Sequence, residues 1–252
     1  MKIQYCSDLH LEFKENKNFL KEHPIKAIGE ILLLAGDILP FAFHNQPCEF
    51  LDFVADNFER VYWIPGNHEY YAFDMADVKN PLQQKIRENV LLINNQTIIY
   101  KNAELVFSTL WSHIRPQNEM VIQQSVSDFS WIKYTGKKLT PNDFNILHEN
   151  DFMFLKTALA TETQRERIVV THHVPTLQHY PEQYRNSNIN EAFATELYDF
   201  ISYSNVQYWI YGHHHVNTPD FKIGNTLMLT NQLGYVRNNE HSAFRNNAII
   251  EL

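Results

Sequence analysis

Ten short runs rich in Ile, Val, Leu, Tyr and Trp punctuate the chain, and most end abruptly in polar or glycine-containing turns. They span residues 2–7, 30–35, 60–64, 89–93, 97–100, 104–110, 167–171, 206–211, 226–230 and 248–252. Apolar character kept up over so few residues predicts strands covered on both faces. Amphipathic stretches lie between some of them. Residues 48–60 place Leu51, Val54, Ala55 and Phe58 on one stripe, and Pro47 suits a helix start. Residues 140–161 open with Thr-Pro, a cap and first turn, and carry Phe144, Leu147, Phe154, Leu155 and Leu159. Residues 190–203 offer Phe193, Leu197, Phe200 and Ile201. Strands alternating with helices, then β-rich ends, predict an α/β fold of two packed sheets flanked by helices. No internal repeat or Gly/Ser- or Pro-rich linker interrupts 1–252, which reads as a single domain. The least regular stretch, 112–138, is expected to form a partial cap or substrate loop. Its aromatics Phe129, Trp131 and Tyr134 are expected in the core rather than as a base-stacking platform.

Composition narrows the function classes. Of the 252 residues, 44% are hydrophobic, enough for a substantial buried core. Asp and Glu outnumber Lys and Arg 29 to 21, giving a net charge of −8, which disfavours gripping long duplex nucleic acid through a basic face. No apolar run approaches the ~20 residues that span a bilayer, so no membrane partner is expected. The first residues lack the apolar core of a signal peptide. The two cysteines, Cys6 and Cys48, cannot build a disulfide framework, and Cys6 reads as a small buried apolar residue. A cytoplasmic location is expected. One count stands out: 13 His, five of them in two short clusters.

The polar residues after the strands are unusual in kind. Five predicted strand ends deliver Asp8 and His10, Gly36-Asp37, Gly66-Asn67-His68-Glu69, His172-His173 and Gly212-His213-His214-His215. In open α/β sheets, ligands collect beyond the carboxyl ends of the strands. Asp8 and Asp37 are 29 positions apart and Asp37 and Asn67 are 30 apart, close to the length of a βαβ unit, so neighbouring parallel strands would bring them together. Imidazole nitrogen combined with carboxylate and carbonyl oxygen is the donor set of Mn, Fe or Zn, as divalent ions or a mixed-valence pair. Seven such side chains exceed the needs of one tetrahedral ion and suit two ions sharing a bridging carboxylate. Two Asp and a bridging hydroxide against two divalent ions leave a charge of about +1, which attracts a phosphate ester.

The series Asp-x-His, Gly-Asp, Gly-Asn-His-Glu, His and Gly-His-x-His, in that order from Asp8 to His215, resembles the calcineurin-like metallophosphoesterases. Thr109-Leu110-Trp111, 171–175 and 231–235 also look like a bacterial branch of that family with poorly defined substrates. The resemblance implies a four-layer α/β/β/α sandwich of two mixed sheets. It implies that Asp8, His10 and His215 bind one metal, that Asn67, His172 and His213 bind a second, and that Asp37 bridges them. It further implies a hydroxide bridging the metals that attacks phosphorus in line, with His68 protonating the leaving oxygen or stabilising charge there, and Glu69 orienting rather than ligating. The family's protein phosphatases extend Gly-Asp with Val-Asp-Arg-Gly. Here Ile38-Leu39-Pro40-Phe41 follows, which argues against protein phosphatase activity.

Some roles stay open in the sequence. His172 is preferred to His173 as ligand because the family's His stands three residues before a proline, here Pro175. His214 is expected to point away, and His113 to be a loop residue. His23, His44, His148, His179 and His241 have no sequence partner that lifts them above surface or core use. Arg115 or Lys137 could contact phosphate. The expected substrate is a small phosphorylated molecule, a nucleotide included, with phosphodiesters slightly favoured over monoesters. The rivals are a non-catalytic metal-binding scaffold of the same fold and a nuclease acting on short single strands.

Overall fold

The central apolar runs form strands because each of their faces meets another layer. In the computed structural model, which describes residues 1–43 and 46–252, the chain runs β1 (Lys2–Cys6), α1 (Lys14–Glu22), β2 (Ile31–Ala35), α2 (Glu49–Asn57), β3 (Arg60–Ile64), β4 (Leu82–Arg87) and β5 (Val90–Asn94). It continues with β6 (Gln96–Tyr100), β7 (Ala103–Ser108), α3 (Glu119–Ser125) and α4 (Asp128–Trp131). A small ribbon of β8 (Lys133–Tyr134) and β9 (Lys137–Lys138) precedes α5 (Pro141–Ala160) and β10 (Glu166–Thr171). The last elements are α6 (Tyr198–Tyr203), β11 (Tyr208–Tyr211), β12 (Phe221–Ile223), β13 (Thr226–Thr230) and β14 (Ile249–Glu251). His44 lies outside the described residues.

Two six-stranded sheets result, ordered β14-β1-β2-β3-β5-β4 and β12-β13-β11-β10-β7-β6. Their central strands are parallel and their edge strands antiparallel. Alternation along each strand sorts the side chains into layers. Ile3, Leu33 and Tyr62 from one sheet pack with Leu105, Ile168 and Ile210 from the other, forming the core between the sheets. The opposite faces carry Leu32 and Trp63 against Leu20 and Leu51 of α1 and α2. On the second sheet, Val169 and Trp209 meet Leu155 and Ile201 of α5 and α6. The architecture is therefore a four-layer α/β/β/α sandwich of two mixed sheets.

Local chemistry sets several boundaries. Thr140 Oγ1 accepts from the Asp143 N–H at 3.2 Å while Asp143 Oδ2 accepts from the Thr140 N–H at 3.1 Å, closing the start of α5. The helix expected over 48–60 stops at Asn57, since Glu59 N–H is drawn to Glu30 O at 2.9 Å and Arg60 joins the sheet. The helix expected over 190–203 shrinks to Tyr198–Tyr203, because the N–H groups of Thr195 and Leu197 are taken by Val174 O and Pro175 O. The segment 112–138 holds α3, α4 and the ribbon; Phe129 is buried, Tyr134 half-buried and Trp131 exposed. Cys6 is buried, and Cys6 and Cys48 are unpaired. Among the described residues, no helix is long and apolar enough to cross a membrane.

Candidate metal centre

The strand-end residues converge along the seam where the two sheets meet. Parallel β1, β2 and β3 place Asp8 and His10, Asp37, and Asn67 and His68 just past their carboxyl ends. Parallel β10 and β11 do the same for His172, His213 and His215 from the second sheet. Backbone bonds lace the ends together: Asp8 N–H donates to Gly36 O at 2.9 Å, and Gly212 N–H to His172 O at 3.0 Å. Five of these residues sit in the left-handed region, Asp8 (φ 56°), His10 (46°), Asp37 (56°), His213 (79°) and His215 (55°). Such conformations cost on the order of 1–3 kcal/mol each for a non-glycine residue and persist where surrounding structure over-determines them. Two motif glycines have a steric reason. A Cβ on Gly66 would stand 2.2 Å from Asp37 Oδ1 and 2.6 Å from His172 Nε2, and one on Gly212 would stand 2.5 Å from Asp8 Oδ2.

Two overlapping donor sets form. Asp8, His10, Asp37 and His215 each offer one atom within 4.8 Å of the others, and so do Asp37, His172 and His213. Asp37 belongs to both: Oδ2 lies 3.7 Å from His10 Nε2 and Oδ1 lies 3.4 Å from His172 Nε2. His10 Nε2 and His215 Nε2 face each other at 2.9 Å. His172 Nε2 lies 3.1 Å from His213 Nδ1 and 3.2 Å from Asn67 Oδ1, which adds Asn67 to the second set.

A cation site also requires each imidazole to be held by its other nitrogen. That condition is met four times. His10 Nδ1 faces Glu12 Oε1 at 3.2 Å and His215 Nδ1 faces Glu240 Oε2 at 2.7 Å. His172 Nδ1 faces Ala35 O at 2.9 Å and His213 Nε2 faces Ala192 O at 3.4 Å. Burial opposes ionisation of Asp37, but the neighbouring His172, His68 and His10 rings outweigh it and hold the carboxyl well below its usual range. Buried carboxylates, imidazoles and one amide oxygen thus fit two cations of the Mn, Fe or Zn type.

Further residues support the donors. Glu69 accepts N–H bonds from Asp37 (2.9 Å), Ile38 (2.7 Å) and Gly66 (2.7 Å) and from the Trp63 indole (2.9 Å), tying two ligand loops together. Burial and the nearby Asp37 push its carboxyl up to about 7. Asn67 Nδ2 donates to Asp128 Oδ1 at 2.8 Å, which turns its oxygen toward His172. The Tyr71 hydroxyl donates to the same oxygen at 2.8 Å, while its ring stacks on His68 at 4.1 Å. His68 Nε2 lies 3.1 Å from the Tyr235 hydroxyl. Burial works against the His68 cation, but Asp37 and Glu12 outweigh it and raise its pKa.

His173 is buried between Trp111 and His213, and neither ring nitrogen has a partner, so it stands outside both donor sets. His214 turns to Gln232. His113 is exposed and stacks edge-on to His148. A cleft of about 320 Å³ opens over Asp37, Asn67, His68, His213 and His215. It is walled by Ser125–Asp128, by Tyr71, Tyr180, Tyr184 and Tyr235, and by Ile189 and Phe193. No Lys or Arg among the described residues lines it. Arg115 is ion-paired to Glu191, and neither Arg115 nor Lys137 reaches the cleft wall. The supporting residues Glu12, Asp128, Glu240 and Tyr235 had no motif to reveal them, although Tyr235 falls within the family-like stretch 231–235.

The family model for calcineurin-like phosphoesterases matches residues 1–217. An uncharacterized protein of Acanthamoeba polyphaga mimivirus is 29% identical over 276 residues, covering 99% of this chain and 96% of that protein. Among solved structures, the phosphopantetheinyl hydrolase of Mycobacterium tuberculosis shares the fold. Its TM-score is 0.73 at 15% identity, over 99% of this chain and 95% of the other.

Proposed function

Because the chain belongs to the calcineurin-like phosphoesterase family, we propose that it hydrolyses phosphodiesters in preference to monoesters at a two-metal centre. The observation that carries this reading is Asp37, one carboxylate shared by two complete donor sets. Asp8, His10, Asp37 and His215 would hold one ion, and Asp37, Asn67, His172 and His213 the other. Bound there, the ions supply Lewis-acid polarisation of the phosphoryl group and activation of the attacking water.

The protein's own groups do the rest. Glu69 and Asp128 hold the ligand loops so that the donors are already aimed. His68 projects its ring into the cleft and carries the proton that goes from Nε2 to the leaving oxygen. A monoester dianion brings a second negative charge that only the protonated His68 ring would face, since the cleft wall contributes no Lys or Arg. A diester brings only one, which the cation pair can offset. The tyrosine and phenylalanine rings offer faces for a planar group, which supports a nucleotide-like small phosphodiester rather than a long duplex. Ser125–Asp128 supports reading 112–138 as a partial cap on one domain, 1–252. The free thiols suit a reducing compartment, the cytoplasm.

The test is turnover of an aryl phosphodiester and its matching monoester by purified protein with added Mn²⁺ and with chelator. We expect kcat/KM to favour the diester by about tenfold, a difference of roughly 1.4 kcal/mol in activation free energy, and chelator to abolish both. Absence of turnover in protein holding two ions would leave the scaffold reading. Preference for the monoester would remove the diester assignment, and cleavage confined to short single strands would favour the nuclease.

A further inference from the structure

Glu12 stands two residues past His10, outside the strand-end motifs, yet its Oε1 meets two functional rings. It lies 3.2 Å from His10 Nδ1 and 2.8 Å from His68 Nδ1. The rings stand edge to face, 4.4 Å between centroids at 72°, so that one oxygen can reach both. A carboxylate oxygen only accepts, so a proton is fixed on Nδ1 of each ring. His10 Nε2 is then left for the cation site and His68 Nε2 for the cleft. The other oxygen, Oε2, is buried without a partner, so the carboxylate is aligned through Oε1 alone. His10, Glu12 and His68 also lie close enough to hold an ion of their own. The two Nδ1 protons block the lone pairs such an ion would need.

We propose that Glu12 is a positioning residue that serves two roles at once, orienting the metal-binding ring of His10 and holding the His68 ring by its Nδ1–H so that Nε2, which carries the transferred proton when the ring is doubly protonated, faces the cleft. The second role rests on reading His68 as the proton donor. It makes proton delivery and cation binding depend on one carboxylate that reaches two different strand ends.

The experiment compares wild type with Glu12→Gln, which keeps the side chain's shape but cannot accept from both rings through one charged oxygen. Long-range ¹H–¹⁵N spectra of the Zn²⁺-loaded wild type should show His10 and His68 each with a proton on Nδ1, and Glu12→Gln should lose that state at His68. Turnover at saturating metal should fall by about 10–100-fold for a diester with an alkyl leaving group. The loss should be several-fold smaller for p-nitrophenolate, which leaves without a proton. The double variant Glu12→Gln/His68→Asn should be no slower than His68→Asn alone.

Additive losses, or equal losses on both substrates, would overturn the proposal, as would a third ion in wild type that the variant lacks. If Glu12→Gln does not fold, the wild-type spectrum decides, and an Nδ1 without a proton on either ring refutes it. An inert chain whose rings both carry Nδ1–H would sink the hydrolase reading alone, whereas rings without Nδ1–H in an active chain would sink the Glu12 proposal alone.

Discussion

Asp37 receives the His68 backbone N–H on Oδ1 at 2.9 Å while both of its oxygens look toward imidazoles. Asparagine would keep an acceptor for that N–H but forfeit the charge that links the two donor sets. Asp37→Asn is therefore expected to lose both ions by elemental analysis and to slow turnover at least about 100-fold. Two retained ions with near-normal turnover would contradict the bridge. The convergence of the seven strand-end side chains was legible because each follows a strand in a short motif, and the motif glycines have a visible purpose once Gly66 and Gly212 are seen pressed against Asp37, His172 and Asp8. Glu12, Asp128 and Glu240 were not legible. Each is an ordinary acid in ordinary local sequence, and its partner is supplied by tertiary approach: Glu12 to His68 across 56 positions, Asp128 to Asn67 across 61.

All ten apolar runs became strands with ends shifted by only a residue or two, because both-face burial of the central strands imposes a continuous apolar signature, while the edge strands β6 and β14 are covered on one face. The elements that escaped are those without it. β4 is a mostly polar edge strand, and the sequence of α1 is dominated by Lys, Glu and Asn. Helix α5 was fully legible from its Thr-Pro start, but its role beyond packing was not. Asp151 of α5 accepts from Asn95 Nδ2 at 2.7 Å and from the Trp111 N–H at 3.3 Å, fastening the helix to the chain that leaves β7. Burial pushes its carboxyl up to about 6. A folded pKa above the unfolded value means that the native state binds more protons between the two, so this group's contribution falls as pH rises from about 4 to about 6 and is flat above 7. Asp151→Asn removes the dependence. The stability of wild type relative to Asp151→Asn should decline by up to roughly 3 kcal/mol across that window, measured by denaturant unfolding at several pH values. A gap that does not change with pH would show that the carboxyl titrates normally.

Four of the seven donors come from one sheet's strand ends and three from the other's, so any ion held by either set is coordinated from both sheets. Cations that bind only the folded chain add about 2.7 kcal/mol at one hundred times their dissociation constant. For a chain of this size that corresponds to a melting temperature roughly 5–10 °C higher with Mn²⁺ than with chelator. Equal melting temperatures would mean that the donors take up no ion in the folded state. The layered architecture was legible because strand and helix patterns alternate along the chain. The cleft wall was not, since Ser125–Asp128 and Tyr180 reach it through irregular segments. Coordination from both sides also gives the seam a mechanical meaning. Bound cations would act as rivets across a join that otherwise rests on the greasy layer between the sheets and on a few cross-sheet hydrogen bonds, such as Ser7 N–H to Asn231 O at 3.0 Å and His213 N–H to Asp8 Oδ1 at 3.0 Å, and stripping them would loosen that join while each half kept its own strand pairing.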